Sequence, residues 1–426
     1  MAKLDVFVAP RPNLALIKAL NFVNHWLMLG GIPLLRDIPL LGRIAGIKGF
    51  SDIRRWDFPP DDQTRLKAVC GPGKATFITP NHPEFFTDWM IDKHVLAGAA
   101  PLAACWATHG VVNGLGTLAQ KFWLANNLIA QIPGDAEKAR AHSVDWAVKG
   151  HGVLLHPEGS VGWHSNYVAP LFSGAAEMAM EALKQGRDDD LKFQAYVAPV
   201  VWKLVFLSDV SSGLARECAY IEKRLRIATP HGSTPAQRAY LVYSALLTRD
   251  EMALGLIAGE SAPYRERQKR VIAAIRDKLA GLLGLDKSGE VDLSRLARRK
   301  MRELAKGSAE ANELKRLSEM LFRVGRVSEF AFESPEISQE EIAEHLKRIR
   351  NDYCSGTLRD GFNTFVPQPV GPRQAILRVV EPLSMHDWTG TADEAAAEMR
   401  ERMQAALDVI NASLTLRKEK NPFFAT

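Results

Sequence analysis

Thr76–Asp92 reads T-F-I-T-P-N-H-P-E-F-F-T-D-W-M-I-D, and the reading of the fold starts there. Lys74–Thr79 ends in Thr76, Phe77, Ile78 and Thr79, residues that favour a pleated, buried backbone, so it reads as a strand. Pro80 and Pro83 bracket Asn81-His82, which stops the strand and turns the chain. Phe85–Val95 then reads as a helix with an apolar face. A histidine is thereby presented at a strand tip, with Asp88 within about two turns on the next helix. A histidine whose tautomer is held by a carboxylate is the minimal apparatus of a general base. The competing reading of the same residues is a loop histidine beside a helix-capping acid.

Outward from this stretch, strand and helix patterns alternate. Leu102–Thr108, Leu128–Ile132 (ended by Pro133-Gly134), Val153–Leu155 and Ala195–Val201 read as strands. Asn113–Leu124, Asp135–Lys149 and Ser173–Gln185 read as helices between them. Ser51–Gly73, with Pro59-Pro60-Asp61-Asp62, reads as a polar connector. The pattern predicts an α/β fold, a mostly parallel sheet flanked by helices. After Asp209 the texture becomes helical: Gln237–Thr248, Ala262–Leu283, Leu293–Lys306, Ala309–Arg323 and Ser338–Asn351. Ala375–Val380 returns to a strand pattern, and Ala392–Ile410 to a long amphipathic helix. The predicted organisation is an N-terminal helical segment over 1–50, an α/β core over 51–210, a helical insertion over 211–368, and a return to the core over 369–426.

Bulk properties narrow the function. With 426 residues, 46% hydrophobic and 24% charged, the chain has ample material for a buried core, which argues against wholesale disorder. A net charge of +5 with no base-stacking motif gives no case for nucleic acid as a partner. Cys70, Cys105, Cys218 and Cys354 are widely separated and match no zinc spacing, which predicts packing thiols, a reducing compartment and no metal site. No secretory signal pattern is visible. Asn13 to Phe50 is the most apolar part of the chain, but its longest charge-free run, Ala19–Leu35, is broken by Gly30, Gly31 and Pro33. That is short of the roughly 20 apolar residues of a span, so the expectation is a monotopic hairpin lying in a membrane surface. The alternative is a helix packed on the core. The basic helix Leu293–Lys306, with Arg295, Arg298, Arg299 and Arg302, is a second candidate for anionic lipid, or simply a solvated helix.

Two strand ends carry the candidate chemistry: Asn81-His82, and Pro157-Glu158-Gly159-Ser160. Sites in parallel sheets gather beyond the carboxyl ends of strands, so both loops can face one crevice. A base at one end and a Glu-Gly-Ser turn at the other suit acyl transfer to a hydroxyl. The ordered set N-H-P-E-F-F-T-D at 81–88, H-P-E-G-S at 156–160 and V-A-P-V-V at 197–201 resembles the glycerolipid (lysophosphatidate-type) acyltransferases. Their blocks are a histidine, four residues and an aspartate, then F-P-E-G-T-R, then an apolar strand holding a proline. V-V-E-P-L at 379–383 resembles that family's closing strand.

The resemblance implies an α/β fold and transfer of a fatty acyl group from acyl-CoA or acyl carrier protein, as co-substrate, to a lipid hydroxyl. It implies no cofactor, no acyl-enzyme and a peripheral or monotopic enzyme on the cytoplasmic side of a membrane. Carried over by position, His82 is the general base and Asp88 its orienting carboxylate. Asn81, Glu158, Gly159, Ser160 and Pro199 fall to substrate binding.

Three departures qualify that transfer. Five residues separate His82 from Asp88, with Thr87 where the family has its aspartate, and one extra helical residue rotates a side chain by about 100°. Val161 replaces the arginine of F-P-E-G-T-R, and Gln131–Asp135 lacks the arginine that usually ends the family's second block. Lys203, Lys121 or the insertion are the candidate substitutes for those phosphate ligands. Two other classes use the same residues: a lipid hydrolase with Ser160 as nucleophile, and a catalytically degenerate lipid- or partner-binding scaffold.

Overall fold

A computed structural model describes residues 7–38, 40–41, 44–114, 116–132, 136–257, 262–285, 292–305, 307–365 and 368–424. Pro133-Gly134-Asp135, expected to end a strand and open a helix, and Lys306 at the expected end of the basic helix, lie outside the described residues. In chain order come α1 (Leu14–Val23), α2 (Ala45–Lys48), β1 (Ile53–Asp57), α3 (Pro60–Val69), β2 (Lys74–Pro80) and α4 (Thr87–Ala99). β3 (Ala104–Thr108), α5 (His109–Asn113), α6 (Thr117–Ala125), β4 (Leu128–Gln131), α7 (Glu137–Val148), β5 (Val153–Leu154), α8 (Gly174–Asp189) and β6 (Gln194–Phe206) follow.

These strands, with two from the far end of the chain, make one sheet. β8 (Arg373–Val379) and β9 (Leu383–Ser384) return after a stretch built from α9 (Ser211–Leu225), α10 (Pro235–Leu254), α11 (Tyr264–Leu283), α12 (Leu293–Glu303), α13 (Ala309–Gly325), β7 (Glu336–Ser338), α14 (Gln339–Tyr353) and α15 (Leu358–Phe365). The sheet order is β1-β8-β6-β2-β5-β3-β4, with β9 against β6. Neighbours are parallel except at β6–β8 and β6–β9. This is the α/β fold expected from the alternation.

Why these residues make a parallel sheet is visible in β2. Every residue after Lys74 is buried, as are Val197 to Val205 of β6. Strands buried on both faces need helices on both faces. Successive β2 side chains accordingly enter different clusters. Phe77 packs with Val144 of α7, Ala179 of α8 and Met399 of α16 (Ala392–Ser413). Ile78 packs with Leu66 of α3 and with Met90 and Val95 of α4. Parallel pairing of Ile78 with Leu154, continued by Leu155 N–H to Ile78 O at 3.0 Å, brings the ends of β2 and β5 level. Both candidate loops therefore leave the same edge of the sheet.

Several expected boundaries are corrected. The supposed connector at 51–73 holds β1 and α3. Pro60 at the first helical position and Asp61 and Asp62 in the first turn are helix-start signals. Arg54 and Arg55 suit an edge strand, where charge blunts pairing with other chains. The helix expected over Asn113–Leu124 is two, α5 and α6.

The chain divides into two compact units, residues 1–208 with 362–415 and residues 209–361 with 416–426. The insertion is therefore slightly shorter than expected, and the last eleven residues belong to it rather than to the core. The reason lies in β10 (Lys418–Lys420), which pairs antiparallel with β7, and in Phe423, which is buried and stacked on His345 at 4.8 Å. In that second unit α12 buries Leu293 and Ala297 and exposes Arg295, Arg298, Arg299 and Arg302.

The N-terminal segment is both anchored and exposed. Asn13 caps α1, and α1 runs into a π-helical turn, Asn24–Leu29. Leu29 is buried in the α3–α4 cluster, and Asn24 Nδ2 donates to Met90 O at 2.8 Å. Phe22, Trp26, Leu34, Leu40 and Ile44 nonetheless stay exposed, Leu34 by 82%. Among the described residues no helix is long and apolar enough to cross a membrane.

Candidate active site

The loop after β2 is held by side chains that mimic backbone. Asn81 is buried; its Oδ1 accepts from Trp202 N at 2.8 Å and its Nδ2 donates to Trp202 O at 3.0 Å. The amide thus extends the β2–β6 pairing by one step. Glu158 does the equivalent from β5: Oε1 accepts from His82 N at 2.7 Å and Oε2 from Ala169 N at 3.3 Å. Burial pushes the Glu158 carboxyl up, against the two amides that favour its charge. Gly162 N–H returns a bond to His82 O at 3.0 Å. Asn81 and Glu158, expected to bind substrate, instead fix where the histidine stands.

The extra residue before Asp88 is taken up by the backbone. The helix begins at Thr87, and Phe86 adopts φ +68°, ψ −39° ahead of it. A non-glycine residue there costs about 1–3 kcal/mol, so the surrounding packing enforces it. Thr87, at the family's aspartate position, is buried and faces Ser51 Oγ at 3.0 Å and Glu84 Oε1. Asp88 faces the histidine instead: His82 Nε2 and Asp88 Oδ2 are 2.5 Å apart. Asp88 Oδ1 accepts from Trp89 N at 2.6 Å. His82 Nδ1 is buried and makes no well-formed hydrogen bond, with the Ser160 main chain beside the ring. A neutral ring with its proton on Nε2 donates to Asp88 and keeps a lone pair on Nδ1, the state of a base ready to act.

A second pair, not anticipated from the sequence, lies against the first. His156 stacks on His82 with centroids 3.9 Å apart and planes 12° from parallel. Its Nε2 lies 3.1 Å from Asp92 Oδ2 and its Nδ1 3.3 Å from Pro80 O. Asp88 and Asp92 are one helical turn apart on α4, and that i, i+4 spacing is the signal that would have found the pair.

Burial, followed by the His156 charge, pushes His82 down to about 4 despite Asp88. Burial alone would raise Asp88, but the hydrogen bond and charge of His82, with His156 beyond, hold it below its ordinary range. Burial also works against charge on His156. The Asp92 charge and hydrogen bond, with Asp88 and Glu158 behind them, overturn that and lift it to about 9. Burial pushes the Asp92 carboxyl up as well, so this pair retains a proton at neutral pH.

Both pairs line a cavity of about 580 Å³, within the usual range for a small-ligand site. Its walls are aromatic and aliphatic, with Trp89, Trp106, Trp123 and Phe172 prominent. Gly159 lines it at φ +72°, and a Cβ there would sit 2.5 Å from Phe172 Cε2, so glycine is required. Ser160 is exposed and lies outside the lining; its main chain, not its hydroxyl, faces the His82 ring. Pro199 is buried in β6, paired with Thr79, and does not reach the cavity.

Neither lysine proposed as a phosphate ligand is in the wall. Lys203 is buried on Asn166 and on Asn411 Oδ1, the latter at 2.7 Å, and Lys121 is exposed. The cation that does line the cavity is Arg140, missed in the sequence, and Glu177 holds it at 2.5 Å.

His82, Asp88 and His156 also place one possible metal-ligand atom each within 4.8 Å of one another. Zinc at about 2.0–2.2 Å from its donors keeps them roughly 3.3 Å apart. The 2.5 Å between His82 and Asp88 is a proton's separation. Comparison of the chain with family models and with curated proteins returns no match.

Proposed function

We propose that this protein transfers a fatty acyl group from acyl-CoA or acyl carrier protein to a hydroxyl of a lysophospholipid or related lipid acceptor, with His82 as general base and Asp88 as its orienting partner. The observation that carries the reading is His82: Nε2 is committed to Asp88, Nδ1 makes no well-formed hydrogen bond, and the residue lines an apolar cavity. In the proposed step Nδ1 takes the hydroxyl proton as the oxygen attacks the thioester carbonyl carbon. A C–O bond forms, the tetrahedral intermediate collapses, and the C–S bond breaks. The departing thiolate recovers the proton from the imidazolium, so no residue is acylated. Asp88 stabilises the imidazolium while it exists.

The cavity's aromatic wall suits an alkyl chain. The exposed Phe22, Trp26, Leu34 and Leu40 suit shallow insertion into a membrane surface, and the arginines of α12 suit anionic head groups. We read the enzyme as peripheral or monotopic on the cytoplasmic side.

The test is acyl-donor consumption and product formation against a panel of lyso-lipids, for the full chain and His82→Ala. Transfer that falls about 10²–10⁴-fold in the variant, with an unchanged melting temperature, is expected. If the unaltered protein acylates no acceptor, the catalytic reading fails and the scaffold reading takes its place.

A further inference from the structure

Two stacked imidazoles in one buried site do not have the same hydrogen-bond environment. His82 meets one carboxylate, Asp88, and its Nδ1 makes no well-formed hydrogen bond. His156 meets an acceptor at each nitrogen, a carboxylate at Nε2 and the Pro80 carbonyl at Nδ1. A neutral imidazole has a single N–H, so both contacts are satisfied only when the His156–Asp92 pair carries an additional proton. A ring with both nitrogens occupied is not free to donate to a substrate, and what it offers His82 is its face and its charge. A positive charge 3.9 Å from a second imidazole opposes protonation of that imidazole.

We propose that His156, sharing a proton with Asp92 and lying face to face on His82, is a positioning residue for the base: it fixes the plane of the His82 ring and keeps that ring unprotonated. The proposal rests on reading His82 as the base. The charged groups that face the two rings are few. His82 sees Asp88 from α4, and His156 and the Ser160 main chain from the loop after β5. His156 sees Asp92 and Asp88 from α4 and Glu158 from its own loop. Lys93 and Arg400 act one layer out, on Asp92 and Glu158.

The test reads the rings directly. In the unaltered chain, nitrogen NMR at pH 7 should show His156 protonated on both nitrogens and His82 as the neutral Nε2–H tautomer, titrating near 4. His156→Phe keeps the stack and removes the charge. It should move the His82 titration up toward, though not fully to, the ordinary value of about 6.5, because burial still acts on the ring, and the rate at pH 5.5 should fall relative to that at pH 7.5. Asp92→Asn, which removes the partner that keeps the proton, should move His82 in the same direction. A His156 that is neutral at pH 7 in the unaltered chain, or a His82 titration unmoved in a folded variant, overturns the proposal. Because the titration needs no turnover, it separates the two readings. A His82 titration that shifts in a protein with no transferase activity leaves this coupling standing and sinks the proposed function.

Discussion

β2 and β5 each deliver a histidine to an aspartate of α4, and the two pairs differ only in what stands around the ring nitrogens. His82 has one carboxylate acceptor and an Nδ1 without a well-formed hydrogen bond, and His156 has two acceptors. Identical residue types therefore settle into opposite protonation states, one pushed down to about 4 and the other lifted to about 9. The difference teaches that a histidine–aspartate pair is not a catalytic device by composition. What surrounds the ring, burial and a positive neighbour at His82 against the Asp92, Asp88 and Glu158 charges at His156, decides whether it accepts a proton or keeps one.

The largest effect that would break the comparison is on the first pair. Asp88→Asn keeps the shape and removes the charge that orients and stabilises the base. Transfer should fall about 10²-fold or more, measured as steady-state kcat/KM. Placing Thr87→Asp in that background restores the family's usual spacing but should restore no activity, since Thr87 faces Ser51 and Glu84 rather than His82. Recovery of activity in the double variant would mean that the turn at Phe86 is not fixed as described.

A smaller effect is expected at the scaffold beneath the pair. Asn81→Ala leaves the Trp202 N–H and C=O buried without partners. It should lower stability by about 2–4 kcal/mol in urea titration. A loss of activity without loss of stability would instead return Asn81 to substrate binding.

The smallest effect should come from Glu158→Gln. One amide oxygen can still accept from His82 N, while the side-chain NH₂ now meets the Ala169 N–H. A displacement of the histidine loop by a fraction of an ångström should cost about tenfold in rate with KM little changed. A large rise in KM alone would restore Glu158 to direct acceptor contact.

How much of this was legible beforehand depended on whether a residue's role was local. β2, β5, β6 and β8 announce themselves because strands buried on both faces are continuous apolar runs, and α7, α8 and α16 because one helical face is apolar. β1 and β10 did not, because an edge strand of Arg54-Arg55 or Lys418-Glu419-Lys420 carries no apolar alternation. α3 was hidden behind a proline pair that reads equally as a linker or as a helix start. In the site, His82 and Gly159 line the cavity, and both stand on local features, a strand tip and a tight turn. Pro199 and Ser160 were misplaced because proximity along a motif does not say which side chains share a cavity.

From the chain alone came the α/β alternation, a histidine at a strand end, an acid six residues beyond it, and a Glu-Gly-Ser turn on a second strand end. Each follows from backbone preferences that act over a few residues. Tertiary structure decided which side chain meets the histidine, because a positive φ at Phe86 precedes the helix and Asp88, not Thr87, faces the ring. It also decided that Asn81 and Glu158 hold backbone, and that Asp92 supplies a second pair. Those outcomes depend on contacts across the sheet, where a side chain's chemistry is set by neighbours remote in sequence.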